Sequence, residues 1–220
     1  MADPATLPRR SFVYRRLIER GVSFDASRNA VRKSEDAAHA GIVLGDLSLA
    51  PRCGFKGRHT LDWLRGQKIV VSDENNRATR LGEVGLTCRL ADNEALILSD
   101  AGTVDRLDAA CAREVPFGCY TMPRADSHAW FRIAGGDAAR MLAKLCGVDL
   151  RPRSFDDLEI AQTIVARLSA IVVRDDIGET LAYHLLADSA SALYLWDCVV
   201  EAMAEFDGVV AGAEALGEDR

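Results

Sequence analysis

Two segments of the chain have the same order of a strand, a glycine turn and a helix. The later copy, residues 129–142, has an apolar strand, a Gly-Gly pair and apolar residues at helical spacing. The earlier copy, residues 52–64, has the same order. Within them GRHTLDWL at 57–64 aligns with GGDAARML at 135–142, and the final leucine has the same offset from the first glycine. This pattern predicts a duplicated structural unit.

The duplication continues beyond the helix. ALILSD at residues 95–100 corresponds to YHLLAD at residues 183–188, and each segment ends in an aspartate that suits a helix N-cap. Alternating apolar residues and turn sequences between these landmarks predict further strands in both copies. Each copy is predicted to be β-α-β-β-β-α. We therefore predict an α+β fold in which two antiparallel sheets, with helices on one face, pack together.

The boundaries of this fold follow from the ends of the pattern. Residues 1–10 are polar and unpatterned and are predicted to be a disordered lead. Residues 11–207 form one domain, with halves at about 41–115 and 125–206. The segment 208–220, which is rich in Gly, Ala and Glu, is predicted to be a flexible tail.

Charge and composition exclude several classes of partner. The formal net charge is −6 and the pI is near 5.3, whereas nucleic-acid binding needs a basic face. No apolar run has the length of a membrane span, and the first residues lack a signal-peptide core. The six cysteines include no CxxC pair, which indicates free thiols in a reducing compartment. We expect a cytoplasmic protein that binds neither nucleic acid nor membrane.

The motifs of catalysis and cofactor binding are missing from the sequence. The glycine turns at 54–57 and 135–136 are too short for a dinucleotide loop or a P-loop, and are interpreted as tight turns. The four histidines are isolated, without metal-ligand spacing, and no GxSxG motif occurs. The paired aspartates 156–157 and 175–176 fall at turns, where such side chains accept local backbone hydrogen bonds. We predict no catalytic, cofactor-binding or metal-binding residue in this chain.

Two features favour contact with another protein. Arg151 and Arg153 lie on either side of a proline and shortly before Phe155, and arginine forks suit carboxylates, phosphates and protein partners. The last helix carries Tyr194 and Trp196 beside its apolar face. For these aromatic residues a docking face and core packing both remain open.

A family resemblance rests on several of these segments. LCGVDLRPRSF at residues 145–155, IVVR at 171–174 and the helix start at 189–196 resemble the gamma subunit of heterotetrameric sarcosine oxidase, and the gamma-type subunit of N-methylglutamate dehydrogenase is similar. GDLS at 45–48 and GFKG at 54–57 resemble the opening of the glycine-cleavage T-protein, an aminomethyltransferase. The resemblance implies a folate-binding-type fold.

The chain departs from these families where their chemistry lies. The catalytic aspartate of the T-protein lies in a Gly-Gly-x-x-Asp-Asp-Leu stretch, but the corresponding RLGEVGLTC at residues 80–88 has no aspartate pair. GCY at residues 118–120 is similar to a motif of folate-dependent iron–sulfur repair proteins, yet the preceding lysine is absent.

The resemblance implies a non-catalytic, gamma-type subunit of an oxidoreductase that demethylates secondary N-methyl amino acids and passes the one-carbon unit to tetrahydrofolate. Its role would be assembly and stabilisation of the complex. FAD or FMN, NAD and tetrahydrofolate would be bound by other subunits and none by this chain. The implied partners are larger alpha and beta flavoprotein subunits, with a small delta subunit as a further member. The alternatives are a stand-alone folate-dependent aminomethyltransferase and a folate-binding regulator.

Overall fold

Internal contacts divide the chain into two compact units. The terminal unit takes the described residues up to 49, residues 128–157 and residues 163–211, and the middle unit takes the described residues of 50–127 and residues 158–162. The computed structural model describes residues 9–20, 24–25, 30–31, 40–82, 85–99, 101–113 and 118–211.

The described residues form both helices and strands. The α-helices are α1 (Tyr14–Glu19), α2 (Thr60–Gly66), α3 (Ala101–Arg113), α4 (Ala138–Leu142) and α5 (Ala192–Met203). The strands are β1 (Phe24–Asp25), β2 (Ala30–Val31), β3 (Val43–Asp46), β4 (Arg52–Lys56), β5 (Arg77–Leu81), β6 (Gly85–Ala91), β7 (Glu94–Leu98), β8 (Tyr120–Met122), β9 (His128–Ala134), β10 (Ile160–Val165), β11 (Leu168–Arg174), β12 (Ala182–Asp188) and β13 (Val209–Ala211). Short 3₁₀ segments, Ser189–Ser191 and Ala204–Phe206, flank α5. None of these helices is long and apolar enough to cross a membrane.

The middle unit is a five-stranded sheet in the order β5-β6-β7-β4-β8, and its neighbouring strands are antiparallel. Side chains two residues apart on β4 and β7 point to the same face of the sheet, where α2 and α3 cover them. Phe55 and Ile97 are fully buried there, beside Leu64 of α2 and Leu107 of α3. This alternation fixes which face of the sheet becomes the core.

The terminal unit contains β3, β9, β11, β12, β13 and residues 163–165 of β10, which belong to a six-stranded sheet in the order β10-β11-β12-β9-β3-β13. Its described strand pairs are antiparallel except β13, which runs parallel to β3. Helix α5 packs on this sheet through Trp196, whose ring meets Phe131 of β9 edge to face at 5.2 Å. The buried residues of α5 recur at helical spacing: Ala192, Leu195, Trp196, Val199, Ala202 and Met203.

The predicted duplication and the α+β fold class are confirmed. The first copy is β4-α2-β5-β6-β7-α3, and the second is β9-α4-β10-β11-β12-α5. The strand orders β5-β6-β7-β4 and β10-β11-β12-β9 are also equivalent. Each sheet therefore carries the same four-strand motif.

The strand that precedes each copy pairs outside that copy. Strand β3 comes just before β4 in the chain but pairs with β9, whereas β8 comes just before β9 but pairs with β4. Residues 41–49, which the sequence placed in the first half, therefore lie in the terminal unit. The reason is that backbone donors and acceptors of β3 find their partners on β9.

Only one of the two predicted aspartate caps can be described. The Asp188 carboxylate accepts a hydrogen bond from the Ala190 amide at 2.8 Å and so caps the segment that leads into α5. Asp100 lies outside the described residues.

The prediction of a flexible tail from residue 208 is wrong for Val209–Ala211. These residues form β13, and the Val209 amide donates to the Ile42 carbonyl at 2.9 Å. Two valines and an alanine are enough to extend the edge of a sheet. The remaining tail, residues 212–220, and residues 1–8 of the predicted lead lie outside the described residues.

Candidate functional site

The five predicted contact residues divide into a buried and an exposed group. Phe155 and Trp196 are 3% and 1% exposed, so neither side chain is open to a partner in this structure. For Trp196 the core-packing alternative applies, because the residue lies on the buried face of α5. Tyr194, two positions earlier on the helix, is 48% exposed. Arg151 and Arg153 are also exposed.

The two arginines belong to a tight turn, residues 149–155, which we call the Arg-Pro-Arg turn. The Asp149 carboxylate accepts hydrogen bonds from Arg151 Nε at 2.6 Å and Arg151 Nη2 at 2.7 Å. It also accepts from Ser154 Oγ at 3.0 Å, and Arg153 Nη2 lies 3.9 Å away. The Arg151 guanidinium holds the pKa of Asp149 well below its usual range. The turn is thus organised around one carboxylate.

Both ends of the Arg-Pro-Arg turn are anchored in the core. Leu150 and Phe155 are buried, and each backbone carbonyl accepts a hydrogen bond from a side chain of the sheet. The Tyr183 hydroxyl donates to Leu150 O, and Arg174 Nη1 donates to Phe155 O. Burial raises the pKa of Tyr183, so its hydroxyl keeps the proton that this bond requires.

The paired aspartates are connected to the same region. Asp176 accepts from Arg174 Nη2 at 2.6 Å and from the Ala182 amide at 3.2 Å. Asp157 accepts from the Asp176 amide at 3.1 Å. The predicted backbone hydrogen bonds are therefore present for Asp157 and Asp176. The ion pair with Arg174 is an addition that the sequence did not indicate.

A second polar cluster lies on β9 and β12. Trp130 Nε1 donates to His184 Nδ1 at 3.0 Å, and His184 Nε2 lies 3.3 Å from Asp175 Oδ2. Arg132 Nη2 lies 3.1 Å from the same carboxylate oxygen. These contacts fit a neutral imidazole with its proton on Nε2, assigned from its hydrogen-bond partners. Since His184 and Arg132 are 3% and 6% exposed, the cluster is built to hold the sheet together.

The sequence did not reveal this second cluster. Arg132 pairs directly with His184 across the strands, and Trp130 lies diagonally from His184 because it pairs with Leu186. Only the register of β9 against β12 brings these side chains together. The hydrophobic pattern of each strand does not specify that register.

A cavity of about 390 Å³ lies within the middle unit, a volume in the range of small-molecule sites. Arg52 is 3% exposed and donates to the carbonyls of Ala50, Arg124 and Ala125 at 2.7–3.1 Å, so its charge is committed to the backbone. Burial and neighbouring Asp105 raise the pKa of Asp108. The cavity is lined by Arg52, Cys53, Gly54, Asp108, Ala112, Thr121, Met122, Pro123, Arg124 and Ala125.

Metal and thiol chemistry have little support in the described residues. In the ranges that the structure covers, no three His, Cys, Asp or Glu side chains group as metal ligands. Cys119 is 1% exposed, lies 3.7 Å from Thr60 Oγ1, and has its pKa raised by burial, so it behaves as a small apolar side chain. Cys53, Cys88 and Cys146 are buried as well, and Cys198 is partly exposed.

The duplicated β-α-β-β-β-α arrangement and the sequence pattern together define a T-protein-like, folate-binding-type fold. The family model of the GCVT N-terminal domain matches residues 12–220, and the chain therefore belongs to this family. No curated protein matches the sequence at a significant level.

Two solved structures are similar to this one. A chain of heterotetrameric sarcosine oxidase from Corynebacterium sp. U-96, in complex with pyrrole 2-carboxylate, has 17% identity and a TM-score of 0.65, with 90% of this chain and 96% of that chain covered. Glycine cleavage system aminomethyltransferase T from Bartonella henselae has 14% identity and a TM-score of 0.72. That match covers 94% of this chain but only 60% of the aminomethyltransferase. The predicted resemblance to a T-protein-like sarcosine oxidase subunit is confirmed.

Proposed function

We propose that the chain is a non-catalytic, gamma-type subunit of an oxidoreductase complex. The complex oxidatively demethylates a secondary N-methyl amino acid and transfers the one-carbon unit to tetrahydrofolate. Its larger alpha and beta flavoprotein subunits, with a small delta subunit as a further member, bind FAD or FMN, NAD and tetrahydrofolate. This chain stabilises the assembly in the cytoplasm.

The observation that carries the proposal is the extent of the two structural matches. The chain covers 96% of a chain from the heterotetrameric sarcosine oxidase but 60% of the aminomethyltransferase. A subunit of similar length to this chain is thus found in a heterotetrameric assembly. The match to the longer aminomethyltransferase leaves a large part of that protein uncovered.

Three aspartates of the terminal unit bond within the chain itself, which also supports an assembly role. Asp149, Asp175 and Asp176 each bond to an arginine or to the backbone of the chain itself. A general acid or base needs to reach a reacting group in a cleft, and these carboxylates are occupied in fixing turns and strands.

The second candidate is a folate-dependent transferase or a folate-binding regulator. It is favoured by membership of the GCVT N-terminal domain family and by the cavity of about 390 Å³ in the middle unit. Asp108 is a carboxylate of the lining that suits hydrogen-bond donors on a ligand. This reading requires tetrahydrofolate to bind the isolated chain.

Affinity purification of the tagged full-length chain from its native source separates the two candidates. We expect larger subunits with flavin absorbance to co-purify in a fixed ratio, and the complex to oxidise an N-methyl amino acid. The isolated recombinant chain should show neither turnover nor a heat of tetrahydrofolate binding by calorimetry. Turnover by the isolated chain, or a folate-binding monomer without partners, would overturn the proposal.

A further inference from the structure

The Arg-Pro-Arg turn exposes residues 151–154 consecutively at the surface of the terminal unit. We propose that this turn is a preformed docking surface for a carboxylate-bearing patch on a larger subunit. Arg153 is the residue that contacts the partner directly. The inference rests on the proposed function, because it names the surface through which the subunit assembles.

The first argument is that the turn is already rigid. Leu150 and Phe155 at its ends are 2% and 3% exposed, and their carbonyls are held by Tyr183 and Arg174. A docking loop whose backbone is ordered before binding loses less conformational entropy on association. The backbone of the exposed residues is thus held at both ends before a partner binds.

The second argument is that the two arginines differ in their contact with Asp149. Arg151 directs Nε and Nη2 at Asp149 within 2.7 Å, so its guanidinium is fixed inside the turn. The side chain of Arg153 is 70% exposed, and its Nη2 lies 3.9 Å from Asp149, beyond the length of a charge-assisted hydrogen bond. Its guanidinium is therefore placed to form a bidentate contact with a carboxylate from outside.

The third argument is local charge. The turn holds two arginines and one aspartate, and Asp156 and Asp157 follow it directly, so its positive charge is confined to the segment of Arg151 and Arg153. A single carboxylate on the partner is attracted to Arg153, whereas the two aspartates disfavour a position of that carboxylate further along the chain.

The shape and the amides of the turn favour a protein carboxylate over a free anion. Small anions and phosphates are usually held in concave sites by free backbone N–H groups. Here the amides of Arg151, Ser154 and Phe155 bond within the turn, and Pro152 has none. Residues 151–154 are all exposed, so their side chains are accessible to a protein surface.

Charge reversal of Arg153 tests the inference, with Arg140 as the matched control. The Arg140 side chain is 69% exposed and lies in the same unit, but unlike Arg153 it is hydrogen-bonded to an aspartate of its own segment, Asp137. The larger flavoprotein subunits are first isolated by affinity purification with the wild-type chain. Binding to them is then compared for three tagged proteins: wild type, Arg153→Glu and Arg140→Glu. Dissociation constants are measured by biolayer interferometry, and melting temperatures confirm that each variant is folded.

We expect Arg153→Glu to weaken binding at least tenfold and Arg140→Glu to change it less than twofold. Arg153→Lys should fall between wild type and Arg153→Glu, because an ammonium keeps the charge but loses the fork. Equal weakening by both reversals, or a change of less than twofold for Arg153→Glu, would overturn the inference. A wild-type chain that recruits no flavoprotein subunit at all would instead refute the proposed function.

Discussion

Gly57 and Gly135 occupy equivalent positions after β4 and β9, with φ angles of 132° and 131°. A Cβ atom on Gly57 would lie 2.1 Å from Gly118 O, and one on Gly135 would lie 2.3 Å from Gly41 O. Gly118 and Gly41 precede β8 and β3, the two strands that pair outside their own copies. The repeated glycine therefore marks the point at which the neighbouring strand enters each sheet.

We expect Gly135→Ala to destabilise the protein by at least about 3 kcal/mol, because it adds both backbone strain and a clash with a carbonyl. Gly136 is the matched control, since a Cβ there meets nothing within 4 Å and its φ is not positive. Gly136→Ala should change the free energy of unfolding by less than about 1 kcal/mol. Urea unfolding followed by tryptophan fluorescence measures both, and similar losses for the two variants would contradict the assignment.

The duplicated motif was predictable because glycine spacing and apolar alternation are local properties of the sequence. The exchange of β3 and β8 was not, since an apolar run does not identify the strand with which it will pair. Strand β13 was missed for a related reason. Its three residues begin a segment rich in Gly, Ala and Glu, a composition that predicts a flexible tail. They form a strand because they pair with β3.

In the candidate site, too, features that are local in the sequence could be predicted, and contacts between distant segments could not. The sequence singled out the segment of Arg151 and Arg153 because its proline and its charges are visible in the chain itself. It did not distinguish Phe155, which anchors the turn in the core, from the exposed arginines. The roles of Tyr183 and Arg174 were also hidden, since both reach the turn from strands distant in sequence.

Tyr183→Phe should destabilise the protein by about 1–3 kcal/mol. The substitution removes only the hydroxyl, which donates to the buried Leu150 carbonyl. Tyr194→Phe is the matched control, as its side chain is 48% exposed, and it should change stability by less than about 0.5 kcal/mol. Hydrogen exchange should also accelerate at residues 150–155 in Tyr183→Phe alone. Unchanged exchange there would show that the hydroxyl does not anchor the turn.

The contact between Trp130 and His184 should appear as an energetic coupling. Each single variant, Trp130→Phe and His184→Phe, removes one partner of the 3.0 Å hydrogen bond and disturbs a buried site. In a double-mutant cycle we expect a coupling energy of about 1 kcal/mol, measured from the free energies of unfolding of the four proteins. Strictly additive effects would mean that the indole and imidazole stabilise the sheet independently.

The Asp149 carboxyl should remain ionised well below the pH at which an ordinary aspartate is protonated, about 3.9. Its pKa is lowered chiefly by the hydrogen bonds from Arg151. Because the pKa is lower in the folded than in the unfolded chain, the stabilisation is present above about pH 4 and is lost as pH falls through the folded pKa. Carbon-13 NMR of the side-chain carboxyl follows this titration directly.

Arg151→Gln should return the Asp149 titration toward about pH 3.9, whereas Arg153→Gln should shift it less, since Arg153 Nη2 is 3.9 Å from the carboxylate. The pair therefore separates the arginine that builds the turn from the arginine that is available to a partner. If Arg153→Gln moved the titration as far as Arg151→Gln, both guanidinium groups would be engaged within the turn. Arg153 would then have no free fork for a carboxylate on a larger subunit, and the docking surface would lose its principal contact.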